Sequence, residues 1–285
     1  MSPAAWSCRG RQLVAGDRPL VMGIVNVTPD SFSDGGSFLD PSQAAVHALR
    51  LAEEGADIVD IGGESTRPGA DAVDADEELR RVLPVIEQVS VRSDVAISID
   101  TTKARVALAA LAAGAHIIND VSALTHDPEM ATVASDRRAG VVLMHRRGTP
   151  RTMQDAPCYD NVVATVHDYL VERVEAARAA GIAAEALAVD PGIGFGKTVT
   201  HNVQLLANVK AWRVEGINAL VGLSRKRFIG DVTGASVEDR LAGSLAALVS
   251  CVSAGVEIMR VHDVAASVQA ARMARAIEAE RQQEL

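Results

Sequence analysis

A chain of 285 residues is long enough for one large α/β domain or two small ones. With 48% apolar and only 3% aromatic residues, its core must be aliphatic. A formal charge of −9 argues against bulk nucleic-acid binding and an anionic membrane surface, though a local field can still attract a small anionic substrate. Cys8, Cys158 and Cys251 are odd in number and widely spaced, which suits reduced thiols in a cytoplasm rather than a disulfide framework or a zinc site. The start, MSPAAWSCRGRQL, has no continuous apolar segment and no run approaches membrane-spanning length, so a soluble, cytoplasmic protein is expected.

Taken in order, the chain opens with Trp6–Arg18, two short extended pieces around Arg9-Gly10 that read as a hairpin. Apolar strand candidates follow at Leu20–Thr28, Ala56–Gly63, Val95–Thr101, His116–Val121, Gly140–His145, Leu187–Gly192, Asn218–Ser224 and Ile258–Asp263. Helical patterns lie between them at Pro41–Gly55, Ala75–Ser93, Lys103–Gly114, Glu129–Ala139, Tyr159–Gly181, His201–Gly216 and Val237–Gly255, and Val264–Gln282 closes the chain. Glycines 55, 114, 181, 216 and 255 are placed as left-handed helix stops. No linker, charge block or low-complexity gap interrupts the alternation, so residues 1–285 read as one domain. Eight βα units predict an α/β fold of the (β/α)8 TIM-barrel type, with the N-terminal hairpin closing the barrel bottom. An open doubly wound sheet would need a Gly-rich phosphate turn after the first strand, and none is present.

Catalytic groups of such barrels sit at the C-terminal strand ends. Those ends carry Asn26, Glu64-Ser65-Thr66-Arg67, Asp100, Asn119, Met144-His145, Asp190, Ser224 with Lys226, and Arg260 with His262. Strand parity groups Ala96, Ser98 and Asp100 on one face, Asp190 with Ala188, and Arg260 with His262. A lone Asp at a strand end is often a cap or turn former, which suits Asp30 and Asp120. Asp100, Asn119, Asp190 and Lys226, on four separate ends, fit a site better than four caps, because unpartnered burial would cost a few kcal/mol each.

Other motifs fail. Gly196-Lys197-Thr198 resembles the tail of a phosphate loop, but Pro191 stands where that loop needs Gly. The histidines form no HExxH pair or Cys–His cluster, and His47, His116, His126, His167 and His201 read as surface or structural residues. Arg80-Arg81 and Arg137-Arg138 read as solvated helix faces.

Eight segments together resemble the dihydropteroate synthases: MGIVNVTPDSFSDGG (Met22–Gly36), GGESTRPG (Gly62–Gly69), SIDTTK (Ser98–Lys103), INDVSAL (Ile118–Leu124), LMHRRGTPRTMQ (Leu143–Gln154), DPGIGFGKT (Asp190–Thr198), GLSRKRFIG (Gly222–Gly230) and RVHD (Arg260–Asp263). They run in order over almost the whole chain, and the first and seventh are the most specific. The resemblance implies condensation of a dihydropterin pyrophosphate with p-aminobenzoate, the sulfonamide-sensitive step of folate synthesis. It implies that Asp190 and Asn119 meet the amino-pyrimidine edge of the pterin, with Asp100 on its other side. Lys226 would reach the ring carbonyl or N5, and Met144 and Phe195 would pack along its faces. Arg260, His262, Asn26, Thr66 and Arg67 would hold the pyrophosphate, Asn26 also through Mg²⁺. Phe32, Thr66, Arg67, Pro68, Lys226 and a helix N-terminus near Arg227 would build the p-aminobenzoate site. Asp100, Lys226, Arg260 and His262 are the implied catalytic set.

Two positions depart from the family pattern: Arg146, where many members carry an apolar residue, and Arg227, where many carry Ser. No insertion interrupts Asp190–Thr198. A pterin-binding methyltransferase would lack the first and seventh segments, and a non-catalytic pterin-binding paralogue is opposed by intact Asn26, Arg67, Lys226, Arg260 and His262. The seventh helix is apolar on more than one face, through Leu241, Ala242, Leu245, Ala246, Leu248, Val249 and Val252, which predicts a homodimer, as the resemblance also implies.

Overall fold

The computed structural model of the chain describes residues 5–28, 41–65, 69–149 and 152–283. Strands β1 (Trp6–Cys8) and β2 (Arg11–Leu13) form the antiparallel hairpin, Trp6 opposite Leu13. Arg9 and Gly10, both at positive φ, make its two-residue turn, whose twist matches that of the flanking strands. Eight parallel strands follow at the expected places: β3 (Leu20–Asn26), β4 (Ile58–Gly62), β5 (Ala96–Asp100), β6 (Ile117–Asp120), β7 (Gly140–Met144), β8 (Leu187–Asp190), β9 (Asn218–Gly222) and β10 (Ile258–Val261). They pair in sequence order and β10 closes on β3, giving the (β/α)8 barrel.

Helices α1 (Pro41–Glu53), α2 (Ala75–Arg92), α3 (Ala104–Ala113), α4 (Met130–Arg137) and α5 (Val162–Ala179) cover the first half of the wall. The second half is covered by α6 (Val199–Ala207), α7 (Val209–Trp212), α8 (Arg227–Thr233), α9 (Leu241–Ser253) and α10 (Val264–Gln283). The stretch expected as one helix over His201–Gly216 is thus two. Asn208 leaves helical geometry (φ −121°, ψ 41°), its side-chain amide donates to the Gln204 carbonyl, and the Trp212 indole takes the Leu205 carbonyl at 2.9 Å. Gly216 therefore lies in a later turn, whereas glycines 55, 114, 181 and 255 do follow helix ends in positive-φ geometry. The short α8 begins at the helix N-terminus expected near Arg227, and α9 begins at Leu241 rather than Val237.

The parity expectation holds. Ala96 shares the barrel interior with Met22, Ile58, Ile117, Val142, Ala188, Leu220 and Ile258, while Ile97 and Ile99 face the helices in the outer core. Trp6 and Cys8 complete the inner cluster from below, and the Trp6 indole donates to the Ala186 carbonyl at 2.9 Å. Apolar side chains therefore fill most of the lower barrel, Asn218 at the start of β9 excepted, and the charged groups on the same parity stand in the upper layers. Cys8 and Cys251 are buried, Cys158 is exposed, and all three are free; burial pushes the Cys251 thiol up to about 12. Among the described residues no helix is long and apolar enough to cross a membrane.

Candidate active site

Register sets the rim. Asn26 pairs with Gly62, Gly62 with Asp100, Asp100 with Asn119, and Met144 with Asp190, so the strands deliver these residues at neighbouring levels of the mouth. Gly62 has no side chain between Asn26 and Asp100; a Cβ there would stand 3.3 Å from that of Asp100.

Arg260 reaches the carboxylates of two other strands. Its Nε donates to Asp60 Oδ2 at 2.7 Å and an Nη donates to Asp100 Oδ2 at 2.8 Å. The same Asp60 oxygen accepts from Asn119 Nδ2 at 3.0 Å. Asp60 is a site residue that the strand-end reading missed: it lies in the middle of β4 between Val59 and Ile61, and its side chain is fully buried. The signal was parity, since Asp60 follows the inward-facing Ile58 by two residues.

On the opposite side, Asp190 Oδ1 accepts the Gly192 N–H at 2.7 Å. Lys226, the N-cap of α8, crosses to donate to the Ile193 carbonyl, and its ammonium lies 4.6 Å from the centre of the Phe195 ring. Arg225 before it has φ +56° and is tied by Asp263 Oδ2 at 2.9 Å, which aims Lys226 inward. His262 Nδ1 lies 3.2 Å from Ser224 Oγ. Met144 is buried at the end of β7, while the Arg227 side chain, at the first turn of α8, is 88% exposed and 3.6 Å from Asp231. Phe32, Thr66, Arg67 and Pro68 lie outside the described residues.

Two residues before Thr66, Glu64 is pinned. Lys103 Nζ donates to Glu64 at 2.6 Å and to the fully buried Glu78 at 2.5 Å. Arg81, expected on a solvated face, instead turns inward and donates to the Gly63 carbonyl at 2.8 Å, because the helix α2 packs under this loop. Asp120 behaves as the turn former it resembled, accepting from Ser122 and Leu124.

The electrostatics are those of a water-poor charged cluster. Burial pushes the Asp100 carboxyl up, Arg260 pulls it back, and the Asp60 charge pushes it up again. Asp190 is also raised by burial, with Lys226 opposing. Burial lowers the Lys226 ammonium to about 8 despite the nearby Asp190. For Arg260, burial is outweighed by Asp60 and Asp100, which hold it above its ordinary value. Fixed acceptors, an amide and two cations gathered at one barrel mouth can orient a flat heterocycle with N–H donors on its edge and stabilise cationic charge that develops on it.

The sequence profile of the family described as "Pterin binding enzyme" matches residues 22–262. The dihydropteroate synthase of Escherichia coli (strain K12) is 47% identical over 258 residues, covering 90% of this chain and 91% of that protein. A Xanthomonas albilineans dihydropteroate synthase solved with 4-aminobenzoic acid superposes with a TM-score of 0.90 at 53% identity, covering 98% of this chain and 99% of the other. A Yersinia pestis dihydropteroate synthase solved with a sulfonamide drug gives a TM-score of 0.91 at 43% identity, covering 97% and 99%. A rim of Asp100, Asn119, Asp190, Lys226 and Arg260 on this barrel, with likeness across nearly its whole length, makes the chain a member of the pterin-binding enzymes and, among them, of the dihydropteroate synthase family.

Proposed function

We propose that the chain condenses 6-hydroxymethyl-7,8-dihydropterin pyrophosphate with p-aminobenzoate, giving 7,8-dihydropteroate and pyrophosphate. The observation that carries this reading is the buried cluster in which Arg260 joins Asp60 to Asp100 beside Asn119, facing Asp190 and Lys226. Asp190 and Asn119 hold the amino-pyrimidine edge, Asp100 lies against the other side, and Lys226 with Phe195 and Met144 fixes the ring. The methylene C–O bond breaks and its electron pair leaves with pyrophosphate, which Arg260 and His262 stabilise. The carboxylates of Asp100 and Asp190 stabilise the methylene cation left behind. The p-aminobenzoate nitrogen then forms the C–N bond with its lone pair and loses a proton, so no protein nucleophile is required. Thr66, Arg67, Pro68, Phe32 and the backbone near Arg227 hold p-aminobenzoate, which makes sulfonamides competitors for the same position.

Mg²⁺ belongs to this reading as a companion of the substrate. Among the described residues no group of three or more His, Cys, Asp or Glu gathers to cage a metal. The hard amide oxygen of Asn26 at the rim fits an ion whose other ligands are phosphate oxygens and water. When bound there, the ion would neutralise charge on the leaving pyrophosphate.

The assay is p-aminobenzoate-dependent release of pyrophosphate by the purified protein. Release that ignores p-aminobenzoate, or none, would overturn the assignment. The proposed setting is a homodimer in the cytoplasm. Leu241 and Val249 on α9, with Met273 and Ile277 on α10, expose apolar surface at the outer wall. Light scattering at micromolar concentration should give twice the 29.9 kDa chain mass.

A further inference from the structure

Gly196-Lys197-Thr198 fails as a phosphate loop, yet the lysine is far from idle. Lys197 is 3% exposed. Its ammonium lies 2.9 Å from His145 Nδ1 and donates to the carbonyls of Gly192 at 2.9 Å and Phe195 at 3.1 Å. No carboxylate makes contact with it among the described residues. His145 is buried as well, and burial with the adjacent Lys197 lowers it to about 3, so its ring is neutral and Nδ1 is free to accept. One buried lysine amine, lowered to about 7 by burial, thus ties the end of β7 to both sides of the turn Gly192–Phe195.

The surrounding seam is backbone against backbone. A Cβ on Gly192 (φ +66°) would stand 1.9 Å from the His145 carbonyl oxygen, and one on Gly196 (φ +63°) 2.6 Å from that of Arg147. Tyr159 donates to the Gly196 carbonyl at 2.9 Å, and Gln154 to that of Gly194 at 2.8 Å. The turn held this way supplies the two groups that cradle Lys226: the Ile193 carbonyl and the Phe195 ring.

We propose that Lys197 is a positioning residue. Its ammonium, shared between His145 and the Gly192 and Phe195 carbonyls, fixes the β8–α6 loop so that Ile193 and Phe195 hold the Lys226 amine at the barrel mouth. Its importance for catalysis rests on the assignment of Lys226 and Phe195 to the pterin; its effect on Lys226 does not.

The chain has four lysines, at 103, 197, 210 and 226, so pH-dependent acetylation by acetic anhydride can be followed at each by mass spectrometry, with the exposed Lys210 as internal reference. The charged groups acting on Lys226 are Asp190 and Arg260, with Lys197 nearby. Lys197→Met should release the cradle and move the Lys226 labelling midpoint from about 8 toward the ordinary lysine value, by about one pH unit or more. In the same variant kcat/KM for the pterin pyrophosphate should fall about ten- to a hundredfold through misplacement. Val174→Ala in α5, a buried residue that makes none of the Lys197 contacts, controls for general loss of stability. An unmoved Lys226 midpoint in folded Lys197→Met, or an equal shift in Val174→Ala, overturns the proposal. Should Lys197→Met fail to fold, His145→Phe removes one acceptor and should shift the midpoint in the same direction by less; no shift there overturns it equally. A shifted midpoint with unchanged kcat/KM would uphold the pinning and overturn the pterin role of Lys226.

Discussion

Replacing Asp60 by Asn separates charge from shape at the centre of the site. One oxygen, Asp60 Oδ2, accepts from both Arg260 and Asn119, and Oδ1 is buried without a partner among the described residues. An asparagine amide can place its oxygen at Oδ2 and its NH₂ at Oδ1, keeping both hydrogen bonds while removing the negative charge. Stripping one partner from a buried ion pair costs about 3–5 kcal/mol, and the Asp100 contact at 2.8 Å that remains to Arg260 should hold the loss to about 2–3 kcal/mol. For a domain of 285 residues that lowers the melting temperature by about 3–5 °C. Function should move the other way. Asp100 is raised by burial and further by Asp60, so losing the Asp60 charge leaves Arg260 to pull undivided, and the Asp100 pKa falls. In kcat/KM against pH, the acidic limb of Asp60→Asn should lie about one unit below that of the parent. A less stable enzyme that stays active at lower pH is the signature. An acidic limb that stays put or rises would refute the electrostatic coupling of Asp60, Asp100 and Arg260.

Three further outcomes follow from the same geometry. Asp190→Ala leaves the pterin edge without its charged partner and should weaken binding of the pyrophosphate substrate by about 2–5 kcal/mol, measured by calorimetry; unchanged affinity refutes the assignment. The parent kcat/KM should be bell-shaped: Asp100 must be ionised, placing the acidic limb well above the ordinary carboxylate value of about 3.9. Lys226 must be protonated, so its lowering to about 8 sets the basic limb there, and activity flat to pH 10 would exclude it as the required cation. Because Thr66 and Arg67 are candidates for both the pyrophosphate and p-aminobenzoate sites, pyrophosphate with Mg²⁺ should sharply raise the affinity for a labelled sulfonamide. Equal affinity in the two titrations would separate the sites.

The barrel was legible because each strand announces itself as an apolar run and each interruption as a helical pattern, and parity within β5 correctly turned Asp100 inward. What stayed hidden depends on contacts between distant residues. Arg260 meets Asp60 and Asp100 across sequence separations of 200 and 160, and nothing local marks those partners. The break between α6 and α7 needs the Trp212 indole to capture a carbonyl seven residues earlier. Lys197 looked like a failed phosphate ligand because sequence cannot report that a lysine is buried among carbonyls. Asp60 was a different kind of miss: the information was present, but a search confined to strand ends passes over a carboxylate one pleat lower.

That lower carboxylate changes how the site is understood. A strand-end reading gives a ring of ligand contacts; the structure gives a ring standing on a charged floor. Among the described residues one Asp60 oxygen and the hydroxyl of Ser98 below Asp100 have no hydrogen-bond partner, and both Asp100 and Asp190 are pushed above the ordinary carboxylate range. Each is unfavourable for folding, and they are concentrated within two adjacent layers at the top of the barrel. Such layers persist because the aliphatic plug below them and the helices around them supply the stability they lack. Its use follows from the chemistry. A cation that forms on a methylene carbon exists too briefly for water to reorganise around it, so acids already fixed and incompletely neutralised stabilise it without further rearrangement. Filling these layers with better-paired groups should therefore make the protein more stable and the reaction slower.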